Sequence, residues 1–351
     1  MHPIKMVDLY GQYEKIKKQV DEAIQNVINS SVFIFGSEVS AFKEELQEYL
    51  GVKHVIPCAN GTDALQIAIM ALDLKKGSQI IIPSFNYVAA VEVIAFLGYE
   101  PVFIEVDPDT FNISTGDIKS KINKNTSAIL PVHLFGQCAE MDKIMDIARK
   151  YDLKVIEDAA QAIGAKYNGN SAGTIGDVGI TSFFPSKNLG CMGDGGAVFT
   201  DNDQLAEKMN LIANHGQQKK YNYEIIGINS RLDNLQAAIL RIKLKHLDKY
   251  IEARQKAAQY YDEAFSEVNE IKVPFSSGKS THVFHQYTLQ VPEASRDAIK
   301  QILSSKNVPS MIYYPSPLHL QNAYKYIKCK EGDLPITERL CKCVLSLPMH
   351  T

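Results

Sequence analysis

The sequence predicts an α/β protein: a large domain built on a mixed, mostly parallel sheet, followed by a small C-terminal α+β domain. Three observations carry this expectation. Short apolar runs alternate with helix-period stretches from His54 to Ala160, which is the β-α-β rhythm of a parallel sheet covered on both faces. The helical connections then stop, because VGITSFF and GGAVFT are joined by the polar, glycine-rich segment PSKNLGCMGD. Finally, 351 residues exceed the roughly 250–300 at which a single core stops growing, so a second unit is expected.

Taken in order, Ile16, Val20, Ile24 and Val27 recur at helical spacing, and so do Phe42, Leu46, Tyr49 and Leu50, predicting two amphipathic helices ahead of the first strand. HVIPC, QIIIP, PVFIEV, SAILPVH and KVIEDAA read as strands, with helices over Thr62–Leu72, Val88–Leu97 and Met141–Tyr151 between them. A helix is expected over Asp203–Ala213 and a long one from about Leu232 to Phe265. THVFHQYTLQV, Ser295–Ser305 and PSMIYY then make up the small unit. The domain change is placed near Tyr250, giving a large domain over 1–250 and a small one over 251–351. No capping element follows LSLPMHT, so the chain reads as truncated or as a fragment.

Composition, at 45% hydrophobic and 22% charged, is that of a packed globular protein. A net charge of −3 without a basic stripe argues against a nucleic-acid partner, though single phosphate groups remain possible ligands. No segment approaches the ~18–20 apolar residues of a membrane helix and no leader is visible, so a cytoplasmic location without membrane partners is expected. The cysteines Cys58, Cys138, Cys191, Cys329, Cys341 and Cys343 lack CxxC spacing. They suggest neither a disulfide framework nor a zinc site, and no metal is expected.

Three segments carry candidate chemistry. Asn60-Gly61-Thr62-Asp63 follows a strand and opens a helix, where free N–H groups and a hydroxyl suit a phosphate; from these residues alone a plain N-cap is the better reading. The strand Val155–Asp158 delivers two acids at its carboxyl end, where open α/β sheets form their ligand crevice. Asp158 is the chosen one, since a carboxylate there can keep a pyridinium nitrogen protonated, with a helix-capping role as the alternative. Lys187, in SFFPSKNLG, sits in an apolar-flanked loop where desolvation lowers an amine's pKa and makes it a nucleophile. Gly193-Asp194-Gly195-Gly196 after it leads into a strand instead of opening a helix, so it is not a dinucleotide fingerprint.

NGTDAL, EDAAQA, SFFPSKNLG with GDGGA, and IGINSRLDNLQAA stand in the order seen in the DegT/StrS-type (DegT/DnrJ/EryC) sugar-nucleotide aminotransferases, and the chain resembles that family over essentially its whole length. The resemblance implies an aspartate-aminotransferase-like fold, pyridoxal 5′-phosphate (PLP) as cofactor and a homodimer with shared active sites. Carried over by motif, Lys187 is the Schiff-base lysine, Asp158 pairs with the ring nitrogen and Gln161 lies beside the ring near its phenolic oxygen. Gly61, Thr62 and Ser182 hold the phosphate, Tyr87 stacks on the ring, and Asn229 reaches the phosphate of the neighbouring subunit's cofactor. Arg231, Tyr313 and Tyr314 match the region that meets the sugar nucleotide; taken by itself, Arg231 reads equally as a structural ion pair. Some relatives acting on carboxylate-bearing UDP sugars carry His where Tyr313 stands, a departure that puts a uronate substrate in doubt. His215 and His319 are typical of the family and read as structural.

The implied reaction moves an amino group from L-glutamate to C3 or C4 of a keto sugar on a nucleoside diphosphate, for amino-sugar or surface-polysaccharide (lipopolysaccharide) synthesis. Sugar dehydratases of the family replace the lysine by histidine, and this chain keeps Lys187. The alternatives are an aminotransferase for a cyclitol or other non-nucleotide ketone, and a non-catalytic PLP-fold regulatory protein.

Overall fold

The computed structural model describes residues 4–351. Helices α1 (Leu9–Ser30) and α2 (Ser37–Leu50) precede β1 (His54–Cys58), α3 (Gly61–Ala71), β2 (Gln79–Pro83), α4 (Ala89–Phe96) and β3 (Glu100–Ile104). Next come α5 (Thr115–Lys121), β4 (Thr126–Ile129), α6 (Met141–Tyr151), β5 (Lys154–Asp158), the two-residue strands β6 (Lys166–Tyr167) and β7 (Asn170–Ser171), β8 (Val178–Ser182) and β9 (Gly196–Thr200). The remainder is α7 (Asp203–Ala213), the short strands β10 (Gln217–Lys219) and β11 (Asn222–Tyr223), α8 (Asn234–Leu244), α9 (Leu247–Phe265), β12 (Tyr287–Gln290), α10 (Glu293–Ser305), α11 (Pro335–Cys343) and β13 (Val344–Leu347).

The main sheet has seven strands in the order β1-β9-β8-β5-β4-β2-β3. All run the same way except β9, which is antiparallel to both its neighbours. That reversal goes with the connection: β8 and β9 are joined by the loop over residues 183–195, which contains no helix to carry the chain across the sheet and return it parallel. Alternate strand residues divide between two buried layers. Ile56, Ile80, Ile82, Ile156, Ile180 and Val198 pack with α3, α4 and α7, whereas Val55, Ile81, Ile129, Val155 and Phe199 pack with α2, α6 and α8. Phe42 of α2 meets Phe183, just past β8, edge to face at 5.4 Å. Truncating Phe42 to Ala would cost about 3–5 kcal/mol by the usual cavity scale.

The single long helix expected over Leu232–Phe265 is two helices, α8 and α9. The ladder tightens at the junction, where His246 N–H reaches back three residues to Lys243 C=O at 3.0 Å. Neither Pro nor Gly marks the spot, so periodicity alone runs through it. PSMIYY forms no strand; Met311 makes one antiparallel bridge to Ser346. The strand that pairs with β12 is β13, from the LSLPMHT end of the sequence. Around that pair Phe284, Tyr287, Leu289, Leu347 and Met349 form a separate cluster with Ala258 of α9. Among the described residues no helix is long and apolar enough to cross a membrane.

Candidate active site

Asp158 shares the strand face of Ile156, and Ser182 that of Ile180, the side covered by α3, α4 and α7. Asp158 pairs in register with Ile180, and Ser182 with Gly196, which also opposes Cys58 of β1. The carboxyl ends of β5 and β8 thus meet the N-terminus of α3, and the approach is too close for a side chain. A Cβ on Gly61 would lie 2.7 Å from Ser182 Cβ, and one on Gly196 2.4 Å from the Asn60 carbonyl oxygen. Asn60 caps the helix, its Oδ1 accepting Asp63 N–H at 2.8 Å. Among the described residues the N–H groups of Gly61 and Thr62 meet no acceptor. Two free donors, the positive end of the helix and the Ser182 hydroxyl make a seat for an anion, with Thr62 exposed at its rim.

Asp158 is 8% exposed, and its Oδ1 accepts Ala160 N–H at 3.0 Å while no donor among the described residues reaches Oδ2. Burial raises its carboxyl above the ordinary range, against the pull of that hydrogen bond and of the Lys187 charge. Lys187 is partly buried, its N–H donating to Phe184 C=O at 2.8 Å, and among the described residues its Nζ has no hydrogen-bond acceptor. Burial lowers its amine to about 8, with the Asp158 charge opposing. The loop that carries it is tied down on both sides, by Asn188 Nδ2 donating to Val283 C=O at 3.0 Å and by Cys191 N–H donating to Phe183 C=O at 2.8 Å.

Glu157 turns to the other face, and its carboxylate is fully engaged. It accepts His133 Nε2 at 2.9 Å and the N–H groups of Gly173, Ile175 and Gly176 at 3.1, 2.6 and 2.5 Å. His133 Nδ1 accepts Ala139 N–H at 3.1 Å, which leaves Nε2 as the donor to Glu157. Of the two acids ending β5, only Asp158 keeps a free oxygen. Gln161 is held at both ends of its amide, Oε1 by Phe135 N–H at 2.9 Å and Nε2 by the Tyr314 hydroxyl at 3.1 Å. The ring of Tyr314 lies 6.0 Å from Phe85, 6.5 Å from Tyr87 and 5.9 Å from Tyr313, and burial raises its phenol. Tyr87 stands 59% exposed at the approach to α4.

Asn229 and Arg231 have no hydrogen bond to this cluster among the described residues. Asn229 is exposed, on a segment anchored by Ser230 Oγ accepting Ala59 N–H at 3.0 Å. The guanidinium of Arg231 donates to Asn214 Oδ1 at 3.2 Å and lies 5.5 Å from the centre of the exposed Phe35 ring, with no carboxylate partner among the described residues. His215 is exposed in a left-handed turn with φ of 59°, and His319 is buried. Sequence reasoning missed His133, Ser84 and His285. The last is 6% exposed, its Nδ1 has no partner among the described residues, and burial, then the Lys187 charge, holds it well below the usual histidine range. A polar residue breaking the apolar run VFHQYTL was the available signal.

An amine able to react as a free base, a carboxylate with an open oxygen on the same crevice and a seat for one phosphate are what PLP asks of an α/β transferase, and the chain is a PLP-dependent aminotransferase. The model of the DegT/DnrJ/EryC1/StrS aminotransferase family matches residues 14–351, and the chain belongs to this family. It is 44% identical over 348 residues to a pleiotropic regulatory protein of Geobacillus stearothermophilus, covering 99% of this chain and 93% of that one. It is also 44% identical over 347 residues to UDP-2-acetamido-2-deoxy-3-oxo-D-glucuronate aminotransferase of Pseudomonas aeruginosa, covering 99% and 95%. The crystal structure of S. venezuelae DesV in complex with a ketimine intermediate superposes with a TM-score of 0.96 at 36% identity, covering 100% of this chain and 94% of that one.

Proposed function

We propose that the chain transfers an amino group from L-glutamate to a keto sugar linked to a nucleoside diphosphate, for amino-sugar or surface-polysaccharide synthesis. The ketone is placed at C3 in preference to C4, because the Pseudomonas relative is named for a 3-oxo sugar. The Pseudomonas relative is itself named for a glucuronate, whereas the motif resemblance sets the phenol of Tyr313 where some relatives acting on uronates carry His, so uronates rank second.

The observation that carries this reading is the Lys187 amine, lowered to about 8 and without a hydrogen-bond partner among the described residues, on the same crevice as the open oxygen of Asp158. When bound, PLP supplies the electron sink for negative charge at the carbon that loses its proton. Lys187 Nζ would hold the cofactor through its carbonyl carbon and, freed by the incoming amino donor, would be the base that takes a proton at the donor α-carbon and the acid that gives one at the acceptor carbon. Asp158 would keep the ring nitrogen protonated, and Gln161 would lie beside the ring with one amide hydrogen not given to Tyr314. Gly61, Thr62 and Ser182 hold the phosphate, and Tyr87 covers the ring. Asn229, exposed and without a side-chain hydrogen bond among the described residues, serves the site of a second copy, so the active form is a homodimer. Arg231, with Tyr313 and Tyr314, meets the sugar nucleotide, where a guanidinium suits a diphosphate.

The visible spectrum of the purified protein, before and after glutamate, tests this. A band near the visible edge that glutamate removes, and that returns only with UDP- or dTDP-linked keto sugars, is expected. Return with a free cyclitol ketone would move the reading to that substrate class. A protein that binds no PLP would favour a non-catalytic role, the alternative that the name of the Geobacillus relative raises.

A further inference from the structure

Outside the PLP crevice, a serine, a histidine and a glutamate stand in line. Ser84 Oγ lies 2.8 Å from His319 Nδ1, and His319 Nε2 lies 3.2 Å from Glu338 Oε1. The order is that of a nucleophilic triad, but Ser84 is 0% exposed and its Oγ already accepts His319 N–H at 3.1 Å, so no electrophile reaches it. The polar groups instead close a complete account. Ser84 O–H donates to Nδ1 while its oxygen accepts the His319 amide; Nε2–H donates to Glu338, which also accepts Gly332 N–H at 2.8 Å. Leu318 N–H adds a bond to Ser84 C=O at 3.1 Å. Burial holds the imidazole of His319 below its usual range, which is the form this arrangement needs.

The two arms leaving this clasp run to one place. From Ser84, at the end of β2, the chain passes through Phe85 to Tyr87; back from His319 it passes to Tyr314 and Tyr313. Phe85 and Tyr87 are the rings that meet Tyr314, and Tyr314 in turn holds the Gln161 amide. We propose that Ser84, His319 and Glu338 are positioning residues that lock the Tyr87 and Tyr313–Tyr314 segments against each other and so set the sugar-nucleotide side of the site. This rests on the reading of Tyr313 and Tyr314 as the wall that the sugar nucleotide meets, with Tyr87 covering the ring beside them. Neither serine nor histidine touches substrate in this scheme; both act through the aromatic residues on their arms.

Ser84→Ala, His319→Gln and the double variant test it with two readouts. In cofactor-free protein, hydrogen exchange over residues 84–90 and 311–320 should rise together in each single variant, since cutting either partner frees both arms. In the loaded enzyme, KM for the keto-sugar nucleotide should rise on the order of tenfold, well beyond any change in the rate at which glutamate removes the visible band; the double variant should cost less than the two singles combined, because both remove the Ser84 Oγ–His319 Nδ1 bond. Exchange that rises only around the substituted residue, or a loss shared equally by the glutamate and sugar half-reactions, would overturn the proposal. Exchange does not depend on turnover, so coupled loosening with no activity toward any keto-sugar nucleotide in the wild-type protein would sink the functional reading and leave the clasp standing.

Discussion

Two lysines in this protein have amines lowered to about 8 by burial, and they stand in opposite situations. Lys243, on α8, is 4% exposed and donates from Nζ to Gly190 C=O at 2.7 Å, with no carboxylate partner among the described residues. Lys187, on the loop after β8, has no acceptor among the described residues and feels the charge of Asp158. Lys243 pins the far end of the loop that carries Lys187, so one buried amine is structural support for the other. The difference teaches that a depressed pKa does not by itself mark chemistry. What marks it here is a depressed amine left without a partner, on a crevice that also offers an open carboxylate and an anion seat.

The comparison breaks or holds most visibly on removal of each amine. Lys187→Ala should abolish the visible band and reduce amino transfer by more than about 10³-fold, since a positioned acid–base group alone is worth about 10²–10⁴. Lys243→Met should keep the band; leaving Gly190 C=O unpaired costs about 1–3 kcal/mol, seen as a lower Tm. A folded Lys243→Met that cannot bind PLP would erase the distinction.

Asp158→Asn comes next. It keeps the shape and removes the charge on the ring-nitrogen side, so the rate should fall by about 10²–10³, the scale of one preorganised electrostatic contact. The same charge is the influence that raises the Lys187 pKa against burial, so in cofactor-free protein the variant's amine should titrate lower than wild type.

The pH dependence sharpens the contrast further. PLP capture by the cofactor-free protein should quicken as pH passes about 8, when Lys187 loses its proton, and Lys243→Met should leave that midpoint in place. Both lysines also contribute to stability with one sign. Each has a folded pKa of about 8 against 10.5 for its ordinary value, so between those limits the unfolded chain holds the extra proton and stability rises with pH. Urea midpoints across that window should climb in wild type and climb less in Lys187→Met.

Much of this contrast was legible in the sequence on the Lys187 side only. Strand alternation and loop context singled out Lys187, Asp158 and the Gly61 turn, and the motif resemblance added Gln161, Ser182 and Tyr87. Lys243 lies in ILRIKLKHL as an ordinary helical lysine, because its acceptor is 53 residues away in the chain. Ser84 and His319 are 235 residues apart, and no local pattern brings them together. The break between α8 and α9 and the β12–β13 pairing failed for the same reason: tertiary packing sets both, against a periodicity that says nothing of partners. Asn229 and Arg231 remain assigned by motif, since a single chain presents neither to the Lys187 cluster.

The smallest expected effect is at the anion seat, and it separates ligand binding from amine chemistry. Gly61→Ala places a Cβ 2.7 Å from that of Ser182, so the α3 N-terminus has to shift away from the end of β8. Overpacking of this kind costs about 1–3 kcal/mol of stability. If Gly61, Thr62 and Ser182 hold the phosphate, the Kd for PLP should rise about tenfold, roughly one charge-assisted hydrogen bond lost. The Lys187 midpoint near 8 should stay put, because neither its burial nor Asp158 changes. A weaker Kd with an unmoved midpoint would show that the seat and the amine are independent parts of one site; an unchanged Kd would take the phosphate away from α3.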